Sequence, residues 1–422
     1  MIYEGKKLLI LGGAAQHVKL AEAAKELGII TYVVDYLPVE KSPAKQIADY
    51  NYEYNIYDID SIIELCKKEK IDGVLATHLD PCQKPYQQIC STLGLPCYAP
   101  KHAFEVMTNK CNFKKCCKQY DVGTIAEYTV DDINSDRVIY PVFIKPTDSR
   151  GSRGQTVCYD KESAVIAIEN AKKESSNDGI IIEQYISNAQ EVQFTYFFIN
   201  GEAYLIRTAD SYCGLESEKM NKVVECAVSP SRYTNVYLEQ THNNVVKMFK
   251  SLGIENGPVF MQGFYDGKTF MFFDPGIRFP GVDYERIYKK VYETDIMKMM
   301  VKYAIQGAFD ENFLPADMYR LKGKCACIMF PTLAKGIVDC IVGKDEITKM
   351  KEVISFLMRV YEDDKIEWTY NVNQRSAEID LLCETMDDLK RTILYIQDNY
   401  KIYDSCGNDM TYSNFDIGRL VL

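Results

Sequence analysis

Apolar positions run in two rhythms along this chain. Near the start, the unbroken apolar run KLLIL at 7–11 is followed by the loop GGAAQH. Val18, Leu20, Ala21, Ala24 and Leu27 then recur at helical spacing. ITYVVD repeats the strand signal, SIIELCKKEKI the helical one, and DGVLAT the strand again. Strands alternating with helices predict a parallel sheet with right-handed crossovers, a Rossmann-like unit over residues 1–104.

Residues 105–122 read as a helical link rich in Lys and Cys. From EYTV onward the rhythm changes. PVFIKP, GQTVCY, GIIIEQYI, EVQFTYFFINGEAYLIRT and PVFMQGFYDGKTFMFFDP are β-rich, with hairpin turns expected at Asn200-Gly201 and Asp266-Gly267. KESAVIAIENAKKE and NNVVKMFKSLG are helical, as is 286–310. CACIMFPTLAKGIV and AEIDLLCETMDDLKRTILYIQ close the chain as a small α+β domain. The fold class is therefore α/β followed by α+β.

At 422 residues the chain exceeds what one core fills, so two or more domains are expected. Its net charge of −11 argues against general nucleic-acid or membrane-surface binding, which needs clustered Lys and Arg. MIYEGKKLLILGG has no secretory h-region, and no long apolar run predicts a membrane span. Fifteen cysteines without a leader point to free thiols and a reducing, cytoplasmic setting. Neither Cys111/Cys116/Cys117 nor Cys325/Cys327 has zinc spacing.

Gly12-Gly13-Ala14-Ala15 follows the first strand, and Asp35 ends the second. GxGxxG spacing is absent, yet Asp35 sits where a ribose-binding acid would, so an NAD-linked oxidoreductase is one reading. The other is a tight turn beside a crevice that takes a small substrate. His17 and His78 fall near the strand ends, where ligands of such sheets bind.

The stretch VFIKPTDSRGSRGQTV is the chemically richest. Lys145 ends a strand, Pro146 stops the ladder, and a glycine-containing loop leads into a second strand. The loop either turns a hairpin or cradles phosphate with its N–H groups. A Walker A site is excluded, because there is no GK[ST] and no helix follows.

Taken with GIIIEQYI, Glu191, two hairpins and FDPGIRFPG, the order of motifs resembles the ATP-grasp superfamily. Its members join a carboxylate to an amine, thiol or related nucleophile using ATP. The resemblance implies a pre-ATP-grasp domain at 1–104 and two ATP-grasp subdomains at 105–189 and 190–315. A C-terminal domain at 316–422 resembles those of biotin-carboxylase-like and L-amino-acid-ligase-like members. It implies that Lys110 and Lys145 contact ATP phosphates and that Ser149, Arg150, Gly151, Ser152, Arg153 and Gly154 form a flap over them. Glu183 would meet the adenine amino group, the backbone of Gln184 and Ile186 the adenine edge, and Tyr185 the ring, while Glu191 would hold the ribose.

Gln262 and Asp274, twelve positions apart on two strands of one hairpin, come to one end of it. Family members carry Glu, then Glu-x-Asn, at these places and bind Mg²⁺. Here the positions hold Gln262, Asp274 and Gly276, and Mg²⁺ accepts one or two carboxylates plus phosphates. Arg278 matches the arginine that steadies the transferring phosphoryl group. Arg207 and Lys222 are further candidates for facing the phosphates. The resemblance implies an ATP- and Mg²⁺-dependent ligase acting through an acyl phosphate on small-molecule carboxylates and amines, with homodimerisation left open. Biotin-carboxylase-like chemistry and an ATP-binding regulatory protein without turnover remain as alternatives.

Overall fold

The computed structural model describes residues 2–147, 154–175, 178–214, 223–282, 284–311, 313–367 and 372–420. The N-terminal unit is a four-stranded parallel sheet in the order Tyr50–Tyr52, Ile30–Val34, Lys7–Leu11, Gly73–Leu75. In the central strand Leu8 to Leu11 are fully buried, as an unbroken apolar run requires when helices cover both faces. The edge strand Tyr50–Tyr52 had no clear apolar signal, and Tyr32 holds it by stacking on Tyr50 at 4.7 Å.

Residues 127–184 form a four-stranded antiparallel sheet in the order Glu127–Tyr128, Ile180–Gln184, Val142–Pro146, Thr156–Cys158. The helix Lys161–Glu174, capped by Asp160, packs on it. Ile133, Val142, Ile144, Ala167, Ile168 and Ile182 belong to a core cluster of this unit's own.

The largest sheet has eight strands. Its order is Phe270–Gly276, Gly257–Tyr265, Gln190–Ile199, Glu202–Cys213, Val224–Ser229, Cys325–Met329, Ala377–Cys383, Val353–Met358. Strands on either side of residue 315 thus share one sheet, with Cys226 paired to Met329. Asn200 and Gly201, at φ 49° and 82°, make the expected left-handed turn between the two longest strands. One face of this sheet buries Phe194 and Tyr196 against Tyr237 and Phe249. The opposite face carries Glu191, Gln193 and Thr195, and it is the one that matters below.

Residues 286–310 form two helices rather than one, Glu285–Tyr292 and Ile296–Gln306. Glu293 turns left-handed at φ 59°, and Asp295 caps the second helix by accepting from Lys298 N at 3.0 Å. No helix among the described residues is long and apolar enough to cross a membrane. All fifteen cysteines are free.

Candidate active site

The site forms where three elements meet. These are the strand ends of the antiparallel unit, the open face of the eight-stranded sheet, and the C-terminal edge of the parallel sheet.

Glu183 ends the strand Ile180–Gln184 between two lysines. Lys145 Nζ lies 2.6 Å from its Oε2 and Lys114 Nζ 2.8 Å from its Oε1. Burial opposes ionisation of Glu183, but Lys145 and then Lys114 outweigh it and hold its pKa below the usual carboxylate range. Lys114 was missed by sequence reading. Its position one helical turn after Lys110, on the helix Lys110–Gln119, was the available signal. In the hinge that follows, the N–H of Gln184 donates to Ala126 O and that of Tyr185 to Pro141 O, each at 2.9 Å.

Gln262 and Asp274 are direct cross-strand partners, beside a register shift after Gln262. Such a bulge re-aims side chains at a sheet edge. Gln262 donates its amide N–H to Glu191 Oε1, which leaves its carbonyl oxygen for another contact. Burial raises the pKa of Asp274. The positive charges of Lys110, Arg278 and Lys145 pull it back, and Asp80 pushes it up. The charges of both expected lysines and of the expected arginine are thus felt at Asp274. Among the described residues no group of three or more His, Cys, Asp or Glu side chains is set to hold a metal. Asp274 and Gln262 supply oxygen donors that suit Mg²⁺ only with phosphate oxygens completing its shell.

Arg278 is clasped by a residue of the parallel-sheet unit. Its Nη2 lies 2.7 Å from Asp80 Oδ2, its Nε donates to Asp80 Oδ1, and its Nη1 donates to Phe279 O at 2.8 Å. The flanking backbone is tied down as well. Phe279 N donates to Thr77 O at 2.8 Å and Ile277 N to Gln83 Oε1 at 2.9 Å. This clasp accounts for Gly276. A Cβ there would meet Arg278 Cγ at 3.0 Å and Asp80 Oδ1 at 3.5 Å, so the arginine and its acid fill the room beside that position.

Arg207 pairs in register with Thr195 on the same open face, next to a second register shift. It is 1% exposed, and its Nη1 donates to Gln193 Oε1 at 2.8 Å. Gly154 sits at φ 70° with its Cα packed so that a Cβ would meet Pro146 Cγ at 2.9 Å. Ser149, Arg150, Gly151, Ser152, Arg153 and Lys222 lie outside the described residues.

The crevice of the parallel sheet holds a buried charged cluster. His17 Nδ1 lies 2.8 Å from Gly12 O, and its ring centroid is 6.0 Å from that of His78. His78 Nε2 lies 3.2 Å from Glu285 Oε1, while Lys19 reaches Oε2 of the same acid. Burial drives the His17 pKa down to about 3. Burial opposes the charge on Glu285, yet Lys19 and His78 hold its pKa at about 2. Glu285 gave no signal in the sequence.

The same crevice speaks against a dinucleotide. Asp35 already accepts from Gly13 N at 3.0 Å and Leu37 N at 2.8 Å. A Cβ on Gly13 would stand 1.7 Å from Ser42 Oγ, so this glycine serves close internal packing.

Residues 101–274 match the family described as carbamoyl-phosphate synthase L chain, ATP binding domain. A formate-dependent phosphoribosylglycinamide formyltransferase of Prochlorococcus marinus is 22% identical over 280 residues, covering 63% of this chain and 68% of the relative. An L-amino acid ligase from Bacillus licheniformis superposes with a TM-score of 0.76 at 16% identity, covering 95% of this chain and 99% of the other. The biotin carboxylase domain of Hydrogenobacter thermophilus 2-oxoglutarate carboxylase, a dimer in complex with MgADP and bicarbonate, superposes at 0.72 and 17% identity, covering 96% and 91%.

Proposed function

The chain has the ATP-grasp fold, and on that premise we propose that it joins a small-molecule carboxylate to an amine using ATP and Mg²⁺. A carboxylate oxygen attacks the γ-phosphorus of ATP. An O–P bond forms, the bond to the β–γ bridging oxygen breaks, and ADP leaves. The amine nitrogen then attacks the acyl carbon, a C–N bond forms, and inorganic phosphate departs while the ammonium proton passes to solvent. Both steps need charge neutralisation and positioning rather than a covalent protein nucleophile.

Each described residue has a part. Lys110 and Lys145 neutralise phosphate oxygens as point charges. Asp274 and Gln262 would hold Mg²⁺, which supplies further neutralisation at the phosphates. Arg278, fixed by Asp80, steadies the transferring group. Glu183 and the hinge receive the adenine. Because the Gln184 N–H is already donated to Ala126, the purine-facing part of residue 184 is its carbonyl. Glu191, oriented by Gln262, takes the ribose hydroxyls. The L-amino acid ligase and the ADP-bound carboxylase domain, which share this fold, support the reading.

The observation that carries it is the cross-strand pair Gln262–Asp274, with Glu191 bound to Gln262 and Arg278 clasped by Asp80 shortly after Asp274. ADP release screened across carboxylates, bicarbonate included, with and without amines tests it. Release that needs both a carboxylate and an amine is expected. Release with bicarbonate alone would point to carboxylation, and none with any pair would leave an ATP-binding protein without turnover.

A further inference from the structure

The two arginines of the open sheet face are bound very differently. Arg278 grips the Asp80 carboxylate side-on, through Nε and Nη2. Parallel N–H groups on that edge match the two oxygens of a carboxylate. Arg207 offers the same edge, but its Nε and Nη2 meet no hydrogen-bond partner among the described residues. Its Nη1 donates to Gln193.

Among the described residues no acid forms an ion pair with this cation, and at 1% exposure bulk solvent does not compensate it. The ring of Tyr284 lies 4.6 Å from its guanidinium carbon. Its cross-strand partner Thr195 and the nearby Tyr288 each carry a buried hydroxyl without a hydrogen-bond partner among the described residues. A buried charge with unmet donors and idle hydroxyls beside it is costly to keep for packing alone. Such local cost is characteristic of binding sites.

Its location narrows the ligand. Gln193 is the register neighbour of Gln262, the partner of Asp274. Arg207 stands two strands away from the Gln262 strand, roughly 10 Å at ordinary strand spacing. Gln193, which accepts from Arg207 Nη1, stands between the two, so the free edge of Arg207 is set off from the Gln262–Asp274 pair. We propose that the Nε/Nη2 edge of Arg207 anchors a substrate carboxylate other than the one that is phosphorylated. The enzyme would then take a dicarboxylate as its acid or an amino acid as its amine. That two substrates meet here rests on the ligase reading, whereas anion recognition rests on Arg207 itself.

The test uses the full chain, wild type and with Arg207→Met or Arg207→Lys. Thermal unfolding is followed alone, with succinate, L-aspartate, L-glutamate or acetate, and with ADP–Mg²⁺. Without ligand, Arg207→Met should melt at or above wild type, because an uncompensated buried charge has gone. A clear drop would mean that Arg207 is structural and would overturn the proposal. Wild type should be stabilised by at least one of the first three compounds and not by acetate. Arg207→Met should weaken that binding at least tenfold, Arg207→Lys should restore it only in part, and the ADP–Mg²⁺ shift should persist in both. A response to succinate marks the acid, and one to the amino acids marks the amine. An unchanged carboxylate shift in Arg207→Met, no such shift in wild type, or loss of the ADP–Mg²⁺ shift with it would each overturn the assignment. If ADP–Mg²⁺ fails to stabilise wild type while succinate does, the ligase reading falls and the anion site stands.

Discussion

Replacing Asp80 with asparagine removes one charge from the Arg278 clasp while keeping the side chain's shape. Arg278 is buried, with 8% of its side chain exposed, but the Asp80 side chain is 57% exposed. A desolvated, charge-assisted hydrogen bond contributes about 1.5–3 kcal/mol, and an exposed ion pair about 0.2–1 kcal/mol. The exposed acid and the oxygen that asparagine retains place the loss near the lower range, about 1 kcal/mol. A melting shift of roughly 2 °C follows for a chain of this size, so the variant stays folded. The kinetic cost should be larger, because an arginine released from its acid no longer points at the transferring phosphoryl group. Misplacement by about 1 Å can cost on the order of a hundredfold. Asp80→Asn should therefore lower kcat for carboxylate-dependent ADP release by about 10- to 100-fold, with the KM for ATP little changed. Combined with Arg278→Lys, the two losses should be less than additive, since both act through one contact. A kcat within about twofold of wild type, or full additivity, would refute the idea that Asp80 aims Arg278.

Other outcomes follow from the same geometry. Lys145→Ala should abolish the stabilisation by ATP–Mg²⁺, about 2.7 kcal/mol at a hundred times Kd, and a surviving shift would remove Lys145 from the phosphate site. Gly276→Asn puts a side chain against Arg278 Cγ and Asp80, so kcat should fall although the change restores the family's usual residue. Undiminished turnover would show that the clasp is dispensable. His17 binds a proton less readily folded, at about 3, than unfolded, near 6.5, so its stabilisation is lost as pH falls below 6.5. By pH 5 that amounts to about 2 kcal/mol, and His17→Gln should flatten the pH 7-to-5 decline in denaturation midpoint. For Glu183 the folded pKa also lies below the unfolded one, so its contribution is present above about pH 4.3 and lost in acid. Glu183→Gln should weaken the acid sensitivity of urea unfolding in that window, and an unchanged profile would count against the two-lysine cradle.

What was legible in the sequence was local. KLLIL, the Asn200-Gly201 hairpin and the helix Lys161–Glu174 each declare themselves within a dozen residues through periodicity, turn chemistry or capping. Gln262 and Asp274 were placed together for the same reason, because one tight turn joins their strands. The resemblance supplied Lys110, Lys145 and Arg278, whose charges all lower the pKa of Asp274. What escaped reading was non-local. Asp80 meets Arg278 across 198 positions, and Glu285 meets His78 across 207. No spacing rule reaches so far, and an isolated acid looks the same in a loop or in a buried pair. The continuation of the large sheet into Cys325–Met329 was hidden likewise, since its partner Val224–Ser229 lies about a hundred residues earlier. The break at Glu293 was overlooked because apolar periodicity continues on both sides, and only the Asp295 cap marks the new start.

The central claim is that a substrate carboxylate oxygen attacks the γ-phosphate. Once the screen yields an active pair, the carboxylate can be supplied with ¹⁸O in both oxygens. The account predicts that the released inorganic phosphate carries one ¹⁸O per turnover, because the acyl phosphate splits between its carbon and the bridging oxygen. Phosphate free of label, with ADP formed at the same rate, would contradict the acyl-phosphate route and the ligase assignment built on it.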